Sequence, residues 1–70
     1  MIKKIIVSRK IKEYRLQNGI TQHDLGRWLG VSAQAISKWE REECYPDIQL
    51  LPDLAAILGC DINDFFLSVG

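Results

Sequence analysis

Within the stretch ITQHDLGRWLGVSAQAISKWE, residues 20–40, side chains suited to reading a hydrogen-bonding surface recur at helical spacing. Ala33, Gln34, Ser37, Lys38 and Arg41 share one stripe, and Ile36 and Trp39 share the opposite one. A glutamine amide donates and accepts at once and pairs with an adenine edge, a lysine ammonium donates to guanine, and an alanine methyl suits the thymine methyl. Ser37 can address several bases. Such a stripe needs a rigid platform, and the preceding residues encode one. Thr21 is a good N-cap for a helix carrying Leu25 and Leu29 on one face, Gly30 supplies a left-handed stop, and Val31 plugs the corner. Ser32 then caps the second helix, while Gly26 lets the two helices approach closely. Two short helices joined by such a turn present the second to the major groove of DNA.

Taken with its flanks, the chain resembles the Cro/C1-type helix-turn-helix proteins, among them lambdoid phage repressors and small bacterial regulators. The resemblance covers about residues 7–67 and rests on IKEYRLQNGITQ, LGRWLGVS, ISKWE, YPDIQLLPDLAAILG and DINDFF. It implies an all-α, five-helix, lambda-repressor-like fold and a homodimeric regulator, more repressor than activator, that binds a palindromic double-stranded operator. Gln22 matches the family glutamine that holds a backbone phosphate. With Thr21 it sits where the free N–H groups of a helix start favour an anion. Ser32, Ala33, Gln34, Ser37, Lys38 and Arg41 complete the candidate DNA-contacting set. Arg15 falls on the inner face beside Ile11, and Glu40 follows Trp39; both match paired charges of the family, so a largely buried ion pair is expected. Ile62, Phe66 and Leu67 are the expected dimer contacts, because Phe66 has no obvious core position and a two-fold dimer presents two recognition helices to a palindrome.

Two departures from the family pattern carry expectations of their own. Relatives usually read W-E-R-G after the recognition helix, whereas here Glu42 and Glu43 follow Arg41. Either the helix extends or Glu42 turns left-handed, and both carboxylates are expected to approach the DNA backbone and weaken binding to every sequence alike. Leu16 and Trp28 stand at positions that are commonly polar. They are read first as an enlarged core edge and otherwise as a contact surface, which makes a protein-interaction or antitoxin-type module the alternative function.

Seventy residues make one small domain in which every helix must contribute to the core. Net charge is zero, yet residues 1–20 hold Lys3, Lys4, Arg9, Lys10, Lys12 and Arg15 against Glu13 alone. After Arg41 the chain carries Glu42, Glu43, Asp47, Asp53, Asp61 and Asp64 and no basic residue. A basic half can therefore face a polyanion, since screening confines each charge to about 8 Å at physiological salt. Cys44 and Cys60 lack metal or disulfide spacing and are expected as reduced thiols, and His23 has no partner at ligand spacing. Nothing suggests a nucleophile beside a base, a phosphate-cradling loop, a cofactor, a small-molecule ligand, a membrane span or a signal peptide, so a cytoplasmic non-enzyme is expected.

The elements expected are an arm over 1–6 and a DNA-binding domain over 7–70 with helices at about 7–18, 21–29, 32–41 and 48–58. Pro52 must lie near the first turn of the fourth, and Asp47 is its expected cap. Asp61 is expected to cap a short fifth helix that puts Ile62 and Phe65 in the core. Strand-forming residues are confined to KKIIV.

Overall fold

A computed structural model describes the backbone of residues 2–69 and the side chains of residues 4–67. The chain runs through β1 (Ile2–Ile5), α1 (Val7–Gln17), α2 (Gln22–Leu29), α3 (Ala33–Glu40), a 3-10 turn (Ile48–Leu50), α4 (Leu51–Leu58), a second 3-10 turn (Ile62–Phe65) and β2 (Phe66–Val69). Each of the four α-helices and the second 3-10 turn sends one fully buried anchor to the centre: Ile11, Leu25, Ile36, Leu54 and Phe65. Val7, Trp39 and Ala55 close the cluster. Burying a side chain of this size contributes roughly 1.5–3 kcal/mol, so a domain this small depends on all five. Among the described residues no helix is long and apolar enough to cross a membrane.

Several expectations need correction. The fold is mostly helical rather than all-α, because residues 2–5, expected in an arm, pair antiparallel with residues 66–69, Ile5 opposite Phe66 and Lys4 opposite Leu67. The Ile6 N–H donates to the Phe65 carbonyl at 2.8 Å, tying the strand exit to the core. Secondly, the expected fifth helix is a single 3-10 turn. The chain must be extended by Phe66 (φ −126°, ψ 135°) to enter β2, which leaves room for one inward anchor. Phe65 takes that place, and Ile62 remains 38% exposed. Phe66 is half-buried against the core, so its ring has an intramolecular home.

The fourth helix begins later than expected for a similar local reason. Proline has no N–H and its ring crowds the carbonyl four residues earlier, so Pro52 prevents an α-type bond back to Ile48. The preceding turn tightens instead: the Leu50 and Leu51 N–H groups donate to the Asp47 and Ile48 carbonyls, and the Asp47 carboxylate accepts from the Gln49 N–H at 3.0 Å.

Candidate nucleic-acid interface

The turn between α2 and α3 is built as its residue types require. Thr21 accepts from the Asp24 N–H at 3.0 Å and Ser32 from the Ala35 N–H at 3.1 Å, so each hydroxyl caps its helix and keeps its own proton free to donate outward. Gly30 is left-handed at φ 75°. Gly26 is required for a different reason: a β-carbon there would lie 2.6 Å from the Val31 carbonyl oxygen, against backbone that cannot yield. With Leu25 and Ile36 fully buried, α3 is held rigidly and turns its polar stripe outward. On that stripe Gln34 and Lys38 are exposed, whereas Ala33 and Ser37 are half-buried.

A second set of polar contacts fixes α3 from behind. Arg15 grips Glu40 with two nitrogens, Nε to Oε2 at 2.7 Å and Nη2 to Oε1 at 3.0 Å, and its Nη1 reaches the Ile20 carbonyl at 3.2 Å. The two side chains are only 16% and 5% exposed, as expected of a buried pair. The hydrogen bond to Glu40 raises the Arg15 pKa above its ordinary value, against the opposing effect of burial. Gln22 joins them, its Nε2 donating to Glu40 Oε1 at 3.2 Å. The glutamine expected on phosphate is therefore also a structural tie, with a second amide N–H left over for an anion.

At the exit of α3 the sequence expectation changes in detail. Arg41 does not extend freely along the stripe but folds back, Nε on the Glu43 carboxylate and Nη1 on the Ser37 hydroxyl. The Glu43 carboxyl is held below its usual range chiefly by that hydrogen bond from Arg41. Glu42 takes the left-handed alternative, φ 62°, and the N–H groups of Glu42 and Glu43 close the helix on the carbonyls of Trp39 (3.1 Å) and Lys38 (2.9 Å). A non-glycine residue in this conformation costs roughly 1–2 kcal/mol. Its carboxylate accepts from the Ser8 hydroxyl at 3.1 Å. Both glutamates remain exposed, but neither carboxylate is free as the sequence suggested: Glu42 is engaged by Ser8 and Glu43 by Arg41.

Ser8 went unrecognised in the sequence, although its place three before Ile11 and seven before Arg15 puts a small polar residue on the inner stripe of α1, where it requires a partner. The basic half is also smaller than the sequence count implies. Arg15 is committed to Glu40 and Arg9 lies 3.8 Å from Glu13, while Lys4 and Lys12 are exposed and the Lys3 side chain lies outside the described residues. Leu16 and Trp28 do not enlarge the core edge; they are 63% and 53% exposed, because the inner faces of α1 and α2 are already filled. His23 is exposed on α2, and Cys44 and Cys60 are free thiols, with burial pushing the Cys60 thiol up. Among the described residues no group of acidic, histidine and cysteine side chains is arranged to hold a metal ion.

The helix-turn-helix family model matches residues 11–65, which contain all of this scaffold from Ile11 to Phe65. The chain belongs to the helix-turn-helix family, in its Cro/C1-type branch. Over 61 residues this family member is 36% identical to an HTH-type transcriptional regulator of Methanocaldococcus jannaschii, a match covering 87% of the chain and 92% of that protein. It is likewise 36% identical over 63 residues to repressor protein C2 of Salmonella phage P22, spanning 90% of the chain and 29% of that repressor. The crystal structure of the P22 c2 repressor in complex with a synthetic operator shares the fold with a TM-score of 0.79 at 34% identity, covering 89% of this chain and 94% of that one.

Proposed function

We propose that this helix-turn-helix protein is a sequence-specific DNA-binding regulator of transcription, of repressor type, that reads the major groove with α3. One observation carries the reading: a helix locked from behind by Ile36, Trp39 and the Arg15, Gln22 and Glu40 network, yet presenting Gln34 and Lys38 free to solvent. A stripe that is merely solvated needs no such anchoring. Gln34 and Lys38 are assigned to adenine and guanine edges, Ala33 to a thymine methyl, and Ser37 to an adjacent base. Thr21, Gln22, Ser32 and Arg41 are assigned to backbone oxygens, with the helix starts of α2 and α3 adding their free N–H groups. The related P22 repressor was crystallised with operator DNA, which supports the same substrate class here.

A single recognition helix covers one half-site, so we further assign a homodimer on a palindromic operator, acting in the cytoplasm. Leu67 and Ile62, 45% and 38% exposed, are its lead contacts, with Phe66 supporting them from the core side. Selection of bound fragments from random duplex DNA, followed by titration of the winner at several salt concentrations, tests the reading. A palindromic consensus bound with a steep salt dependence is the expected outcome. Recovery of random sequence, or no binding at moderate salt, would transfer support to the alternative, a protein-interaction module using the exposed Leu16 and Trp28.

A further inference from the structure

We propose that Glu42 is a positioning residue for the recognition helix: by accepting the hydrogen bond of buried Ser8 it locks the exit of α3 to the first turn of α1 and fixes the angle at which α3 meets a duplex. This inference rests on the DNA-binding reading above. Its starting point is an apparent fault. Among the described residues Glu42 is the non-glycine residue at positive φ, at a position where the family pattern has glycine and the β-carbon is disfavoured. A side chain held there needs compensation, and the Ser8 hydroxyl, 3.1 Å away, supplies it.

The partners are well matched. Ser8 is 3% exposed, a buried polar residue whose hydroxyl must find an acceptor. It occupies the second position of α1, whose cap residue Ile6 offers no side-chain hydrogen bond. A carboxylate beside that helix start is also favoured by the positive end of the helix dipole.

What the contact does follows from where the other tether lies. Glu40, the last residue of α3, is gripped by Arg15 near the carboxyl end of α1, and Glu42 reaches Ser8 near its amino end. Ser8 and Arg15 stand seven residues apart, roughly 10 Å along the helix axis. One tether would leave α3 a pivot, whereas two fix its direction. The Glu43 N–H closes on the carbonyl of Lys38, so the lock acts directly on the turn that carries a base-reading side chain. Glu42 touches no DNA in this scheme; it acts through the pose of α3.

The test uses the full chain with four variants: Ser8→Ala, Glu42→Gly, Glu42→Gln and the combination of the first two. The readout is the ratio of affinities for the selected duplex and a scrambled duplex at one moderate salt concentration, with melting temperature measured in parallel. Losing a hydrogen bond to a charged group predicts about a tenfold fall in that ratio for Ser8→Ala and for Glu42→Gly. The combined variant should be no worse than the weaker single one, and Glu42→Gln, which keeps an accepting oxygen, should stay within about twofold of the parent. Glu42→Gly should melt no lower than the parent, since it also relieves the left-handed strain. Unchanged ratios in both single variants, or strictly additive losses, would overturn the proposal. A parent that fails to discriminate the duplexes sinks the DNA-binding reading instead. The lock is then read in the free protein, where Ser8→Ala should speed exchange of the Glu43 amide and leave that of Ile36 unchanged; equal exchange at Glu43 overturns it.

Discussion

The end of α3 carries two arginine and glutamate pairs. Glu40 is held by Arg15 from α1, 25 residues away, through two hydrogen bonds between side chains that are almost wholly covered. Arg41 is paired with Glu43 two residues on, with 55% and 51% of the side chains exposed. Both pairs consist of the same groups at hydrogen-bonding distance, but one is largely shielded from solvent and the other is open to it. Removing one partner from the first strands a buried charge, whereas the second can be exchanged for solvent contacts at little cost. The inward pair therefore sets where α3 lies, and the outward pair sets how much positive charge its exit shows to a phosphate.

The largest effect that could break this contrast is on stability. Arg15→Ala should cost about 3 kcal/mol and lower the melting temperature by more than about 10 °C, while Arg41→Ala should leave it unchanged within error. Comparable shifts in calorimetry would mean that the two pairs are equally buried in solution. Gln22→Ala sharpens the inward side. It removes one hydrogen bond to Glu40 and should cost about 1 kcal/mol, and in titrations with duplex DNA it should weaken binding to selected and scrambled sequences alike.

On the outward side, Glu43→Gln should free Arg41 and tighten binding to all sequences, steepening the dependence of log K on log salt by about one without changing the melting temperature. An unchanged salt slope would mean that Arg41 never reaches phosphate. The smallest effect is a titration. Arg41 depresses the folded-state pKa of Glu43, so the pair persists above the ordinary carboxylate range and is lost only as pH falls through the lower folded value. Carboxyl NMR should show Glu43 titrating below that range in the parent and returning upward in Arg41→Ala.

The parts of this protein that were legible in advance are those whose cause lies within a few residues. Thr21, Ser32 and Asp47 each cap the helix or turn they precede, and Gly30 ends α2 as its left-handed backbone demands. Ile36 and Trp39 occupy the buried stripe opposite Gln34 and Lys38. Position on α1 and α3, together with the family resemblance, also identified Arg15 and Glu40 as partners. By contrast, the contact of Ser8 with Glu42 and the pairing of Arg41 with Glu43 leave no local trace, since a polar side chain on a correctly placed helix still chooses among several acceptors.

Sequence by itself determined the helix periods, their caps and stops, and which faces were apolar, because backbone geometry and burial preference act at spacings of three and four residues. Tertiary structure decided the remainder. Strand pairing of residues 2–5 with 66–69 joins segments too far apart in the chain for any local pattern to register, and it converts an arm into an edge of the fold and gives Phe66 a home. Left-handed Glu42 became acceptable only once α1 brought Ser8 to its carboxylate. Hydrogen bonds between distant side chains depend on distance and direction in space, and those are fixed only when the core anchors have packed.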